Sequence, residues 1–448
     1  MLKPISIWRL AMPLIAAIYC ATFWLVYVRF LHPVFGYANY DYMDRSPLAW
    51  SITIALIIAP VLLAPLAASA VSALVSFLYA LYYVPAVFCS LFSLHGPYEE
   101  VFQLQFALAV GMVMLFIAAR SAPPVARISI SKSRANFLFV VSLLIVGMIA
   151  FTYRGSMRIV SFSDVYSVRS AANDLSVNPL VGYAMMWLSY CLIPFSLIRG
   201  WVHREWRHIA VALLACVVTY AANGAKTAAI TPVYVFGTYF LATRKGPFLP
   251  MLLLAISGVA LLIVTFSPFD GPWMLLPSLF FERTMGTPGN LLVGYYEVFP
   301  KYGLTYFSQI NVIQNIFGGY PYGNQSLGQV MATVYFGGKE ANFNAGFWSM
   351  DGIASLGIPG IYFIDMVVAG FCAILARRAA PFDPAFMAAW ICTFSVSLIN
   401  ISFFTSLTSS GGFLFFLLFY FVEGGRRGGH APPWRSSAQI QPAPQQVR

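Results

Sequence analysis

Apolar runs of roughly 20 residues recur from one end of this 448-residue chain to the other, and that recurrence decides the fold class before any motif does. Coiled as a helix, each run is long enough to cross the hydrocarbon core of a bilayer. Lipid offers no partner to a backbone amide, and the runs are continuous instead of alternating at period two, so the spans are expected to be helices and not barrel strands. With 60% hydrophobic and only 9% charged residues, the chain reads as an all-α polytopic membrane protein.

The formal net charge of +11 does not gather into a patch that would suit nucleic acid. Lys3, Arg9, Arg120, Arg127, Lys132, Arg134, Arg199, Arg204, Arg207, Arg244, Lys245, Arg377, Arg378, Arg426 and Arg427 fall at the ends or in alternate loops. That is the pattern of cytoplasmic loops in a multi-pass membrane protein, as the positive-inside rule describes. It predicts about twelve spans, near 8–31, 48–66, 69–93, 101–119, 136–153, 180–198, 208–222, 227–243, 248–266, 352–376, 384–405 and 407–422, with both termini cytoplasmic. Residues 1–425 form one transmembrane domain and 426–448 a disordered cytoplasmic tail rich in Pro, Gln and Ser. The first run follows Lys3 and Arg9 like a signal peptide, but its length and lack of a cleavage site mark a retained span. Two long external segments remain, 154–179 and 267–351, and most of the acids lie on their side.

Several chemistries lack their residues. All six cysteines lie in apolar runs without CxxC spacing, so neither disulfides nor a metal site is expected. "NGAKTAAI" only imitates a phosphate loop, and no DxD, HExxH or GxSxG is present. No cofactor is expected. A transporter would bury ionisable groups in matching halves, and Asp365 is the clear candidate for such a group.

The outer side carries cations that topology normally keeps away. Arg154, Arg158 and Arg169 follow the fifth span, and if the helix continues, the first two share a face. Their guanidinium forks suit phosphate oxygens, although pairing with Asp164, Asp174 or lipid headgroups would equally account for any one of them. Lys226 stands where a span beginning at Thr227 would aim its positive dipole end outward. In the large segment, "ERTMGTPGNLLVGYYEVFPKYG" sets Glu282, Arg283, Glu297 and Lys301 around the pair Tyr295 and Tyr296. Aromatic rings together with Asn342 and Asn344 suit stacking on sugars and bonding to hydroxyls; an interfacial aromatic belt is the competing reading of the tyrosines.

These residues bring a family into view. "ERTMGTPGNLLVGYYEVFP", followed by "ANFNAGFWSMDGIASLGIPGIY", resembles the Wzy-type polymerases that join lipid-linked repeat units of bacterial O-antigen, capsule or exopolysaccharide, and the span layout is similar over most of the chain. The resemblance implies a C-type membrane glycosyltransferase fold needing no metal or nucleotide. It implies a donor glycan on undecaprenyl diphosphate, an acceptor repeat unit whose hydroxyl attacks the anomeric carbon, and a chain-length regulator and a flippase as further candidate partners. On that basis Arg283, Arg154, Arg158 and Arg169 are expected to hold the diphosphate with Lys226 in support, and Tyr295, Tyr296, Asn342 and Asn344 to line the glycan site. The chain departs from the family at "NGAKT", where relatives often carry arginine, and its large loop has no histidine, which the related O-antigen ligases use. The proton acceptor is therefore assigned to a carboxylate, Asp351 first and Glu297 second, with a helix cap as the other role open to Asp351. Two rival functions stand beside this one: a glycosyltransferase using a lipid-phosphate sugar, with Asp41 or Asp44 as its acid, and a polysaccharide-precursor flippase or transporter.

Overall fold

The computed structural model describes residues 4–123, 125, 127–160, 178–244, 246–338, 343 and 348–423, and every regular element among them is helical. In chain order these are α1 (Ile7–Ala38), α2 (Pro47–Val61), α3 (Ala70–Ser93), α4 (Tyr98–Ala119), α5 (Lys132–Tyr153), α6 (Pro179–His203), α7 (Trp206–Asn223), α8 (Lys226–Ala242), α9 (Phe248–Phe266), α10 (Thr287–Tyr302), α11 (Asn311–Phe317), α12 (Leu327–Val334), α13 (Trp348–Leu356), α14 (Ile358–Ala379), α15 (Pro384–Asn400) and α16 (Phe403–Glu423). Nine of them (α1, α3, α4, α5, α6, α7, α9, α14 and α16) are long and apolar enough to cross a membrane. The shorter α2, α8 and α15, of 15, 17 and 17 residues, occupy the other three predicted positions. The protein is an all-α, multi-pass membrane protein.

Proline placement explains the irregular turns inside these helices. π-Helical segments at Tyr27–Leu31, Tyr79–Tyr83, Leu188–Leu192 and Ser278–Gly286 each end just ahead of a proline: Pro33, Pro85, Pro194 and Pro288. A proline ring has no N–H to donate and crowds the carbonyl four residues back, here Arg29, Leu81, Tyr190 and Thr284, all within the π segments. Widening that turn relieves the clash without breaking the helix.

Hydrogen bonds between distant loops sort them into two ends. At one end Arg120 donates to the Ala64 carbonyl (3.3 Å), the Ile128 amide to Pro381 (2.7 Å), Arg134 to Val422 (2.9 Å) and Arg199 to Ile130 (3.2 Å). Arg199, almost fully buried, also grips both carboxylate oxygens of Glu205 at 3.2 Å, and the His208 ring lies 3.2 Å from the same carboxylate. At the other end Arg45 donates to the carbonyls of Leu91, Leu94 and Gly96 (3.1, 2.6 and 3.0 Å), and Asp351 meets Ser402. This division matches the alternation of basic and acidic loops expected from the sequence.

The expected span at 352–376 divides in two. Gly357, at φ +67°, turns the chain between α13 and α14, a conformation that strains a side chain with a Cβ. The two helices then fold back so closely at Gly352 and Gly360 that a Cβ on Gly360 would overlap the Gly352 carbonyl. Asp365 of α14 accepts a hydrogen bond from the Trp348 indole of α13 (2.7 Å) and packs against Gly111 of α4, where a Cβ would collide with its carboxyl. The buried acid that suggested transport thus ties the hairpin to its neighbour.

Candidate functional site

The hairpin carries Asp351 to the acid-rich end. From there the carboxylate Oδ2 accepts the Phe403 amide (2.8 Å) and the Ser402 hydroxyl (2.9 Å), which caps the start of α16. The capping role that sequence left open for Asp351 is real, but it serves a helix 52 residues away instead of its own. Asp351 is 3% exposed, and burial pushes its carboxyl up to about 7, against the two hydrogen bonds that favour the charged form.

Asp351 also lines a cavity of about 460 Å³ with Tyr295, Gln309, Gln314, Tyr320, Gly323, Asn324, Gln325, Ser326, Leu327, Met350, Ile401, Ser402 and Thr405. Its walls are fixed from several elements. Tyr306 and Phe307 take left-handed conformations (φ +51° and +64°), costly for side chains of this size. In that turn the amides of Thr305 and Tyr306 close the end of α13 by donating to the carbonyls of Ala354 and Ser355 (2.8 and 3.1 Å). Gln309 is held by Thr305 (2.5 Å) and Ser355 (2.9 Å), and the Tyr320 hydroxyl donates to the Gln325 carbonyl (2.7 Å). The result is a preformed recess of amides, hydroxyls and two phenols around one buried carboxyl, in the size range of small-ligand sites.

The other sequence-chosen residues separate. Tyr295 and Tyr296 are adjacent on α10 and therefore point about 100° apart. Tyr295 is buried in the cavity wall against Phe299 (ring centroids 4.9 Å), whereas Tyr296 is half-buried and is not among the lining residues. Glu297 leaves the cavity too. It accepts the His95 amide at 3.1 Å and pairs with the His95 ring at 3.4 Å, and the other ring nitrogen lies 3.4 Å from Asp41. A histidine absent from the large loop thus reaches it from the α3–α4 turn. Asp44 is exposed.

None of the described cations lines the cavity. Arg283 is exposed and makes no ion pair among the described residues; its neighbour Glu282 instead accepts the Thr287 hydroxyl (2.6 Å). Its π segment packs on Tyr27–Leu31 through Phe281 and Phe30 (5.6 Å), and that turn carries another exposed arginine, Arg29. α5 stops at Tyr153, so Arg154 and Arg158 do not share a helical face; Arg154 lies over the Phe151 ring (4.5 Å), and Arg158 is anchored through its backbone to Ala221 (3.1 Å). Lys226 begins α8, one residue earlier than expected, and is half-buried. Arg169, Asn342, Asn344 and the tail lie outside the described residues.

His95, Gln309, Thr405 and Ser402 were not chosen from the sequence. Only His95 carried a signal, its place in an outer loop beside Glu99 and Glu100. No protein-family model, curated protein or solved structure matches the chain.

Proposed function

We propose that the chain is a membrane glycosyltransferase that polymerises lipid-linked oligosaccharide repeat units, with the Asp351 cavity as the site for the acceptor glycan. The observation that carries this reading is a buried carboxyl with a pKa of about 7, set in a recess of amides, hydroxyls and phenols at the acid-rich end of a multi-pass membrane protein. A base near neutrality suits a sugar hydroxyl, which needs its proton removed only as the new bond forms. The acceptor oxygen bonds to the donor's anomeric carbon, the bond from that carbon to the lipid diphosphate oxygen breaks, and Asp351 takes the proton. Arg283, with Arg29 on the adjoining turn, supplies exposed guanidinium groups suited to the departing diphosphate. The reading also rests on the resemblance to Wzy-type polymerases, which would place the reaction on the outer face of a bacterial inner membrane.

The Asp41–His95–Glu297 contact favours a second reading, transfer of a single sugar from a lipid phosphate with Asp41 as the reacting acid. One experiment separates the two. Purified protein in liposomes, given a lipid-linked repeat unit together with a lipid-monophosphate sugar, is expected to yield a ladder of products. Addition of one sugar supports the second reading, and relocation of the lipid without new bonds supports a flippase and removes both.

A further inference from the structure

Resting on the glycan-site reading above, we infer that this cavity selects uncharged sugars and rejects acidic ones, because among its described lining residues Asp351 alone carries a charge and no described cation lines it to balance a second negative charge. The remaining polar lining groups are amides, hydroxyls and phenols, which bond equally well to sugar hydroxyls but cannot neutralise a uronate. Asp351 itself is satisfied by an amide and a hydroxyl, not by lysine or arginine. The titratable groups facing the same space are Tyr295 and Tyr320, and burial raises both phenols, Tyr320 to about 12, so both stay neutral as Asp351 ionises. A sugar carboxylate brought against the buried Asp351 would meet a like charge that is screened less than in bulk water. The cations that hold the diphosphate must therefore come from outside this lining, and the recess itself reads the glycan.

The six native cysteines are all buried, so a single cysteine at the rim can report occupancy. In Asn324→Cys protein, protection from an impermeant maleimide would be titrated with disaccharides ending in glucose, galactose or mannose and with the counterparts carrying a carboxylate at C6. The expected result at pH about 8.5 is protection by a neutral sugar at concentrations at least about tenfold lower than by its acidic partner. At pH about 5.5 the gap should narrow, since Asp351 is then protonated while the sugar carboxylate remains ionised. Thr405→Lys, which adds a cation at an exposed rim position, should narrow it at high pH. Equal or better protection by acidic sugars at high pH overturns the selectivity while leaving the glycan site standing. A gap unmoved by both pH and Thr405→Lys overturns its electrostatic cause. Absence of protection by any of the sugars overturns the glycan site and the selectivity together.

Discussion

Asp351 and Glu297 belong to the same large segment and the same end of the molecule, yet they sit in opposite surroundings. Asp351 is buried, capped onto α16 and raised to about 7, whereas Glu297 is half-buried and bridged through an exposed His95 to Asp41. The contrast shows that burial, not proximity to aromatic residues in the sequence, sets the chemistry of a carboxylate. A water-exposed pair is screened and worth about 0–1 kcal/mol, while a desolvated carboxyl carries its environment in its pKa.

The most severe way to break the contrast is to open the hairpin that carries Asp351. Gly360→Val places a branched side chain against the Gly352 carbonyl, and a destabilisation of about 3 kcal/mol or more is expected. Size-exclusion chromatography in detergent should show loss of the folded species, and a well-folded Val variant would refute the close packing.

Asp351→Asn tests the buried member directly. Asparagine keeps an acceptor for Phe403 and Ser402 but removes the base, so turnover should fall about 10²- to 10⁴-fold. Wild-type activity should rise with pH through about 7 as the base ionises. Stability runs the other way. The folded carboxyl holds its proton between pH 3.8 and about 7 while the unfolded one does not, so its contribution to stability falls as pH rises through that window and levels off above it. Melting temperatures of the Asn variant should lack this slope and equal or exceed wild type above pH about 7. Full activity in a stable Asn variant would remove Asp351 from the chemistry.

Arg283→Lys asks whether the diphosphate is gripped by an exposed fork. With no ion pair for Arg283 among the described residues, the stability should be unchanged, and a phosphate ligand should lose about 30- to 1000-fold in turnover with the product ladder collapsing. A normal ladder would send the diphosphate to other cations.

The smallest effect is expected at the surface cluster. His95→Gln should shift the melting temperature by no more than about 2 °C and turnover by less than about tenfold. If Asp41→Asn and His95→Gln instead reduce turnover more than Asp351→Asn does, the roles of the two carboxylate sites are reversed, and the single-sugar reading gains.

Much of the architecture was legible because it follows from rules that act along the chain. Apolar run length placed a helix at each predicted span, and alternating basic loops anticipated which loops meet at each end. The division of 352–376 was less visible, since Gly352, Gly357 and Gly360 lie within a continuous apolar pattern and only their mutual approach makes a hairpin. For the site, Asp351 and Tyr295 were found from local context. Tyr296 and Glu297 were grouped with them by adjacency, which a helix undoes by turning successive side chains about 100° apart.

By itself, then, the sequence determined the helical, membrane-embedded class and the gathering of basic and acidic loops at opposite ends, because lipid enforces internal hydrogen bonding and charge is costly to move across it. Tertiary structure alone decided which carboxyl is desolvated. It brought His95 across 202 residues to Glu297 and set Asp351 beneath Ser402, since burial and hydrogen-bond partners depend on contacts between segments that no local pattern encodes.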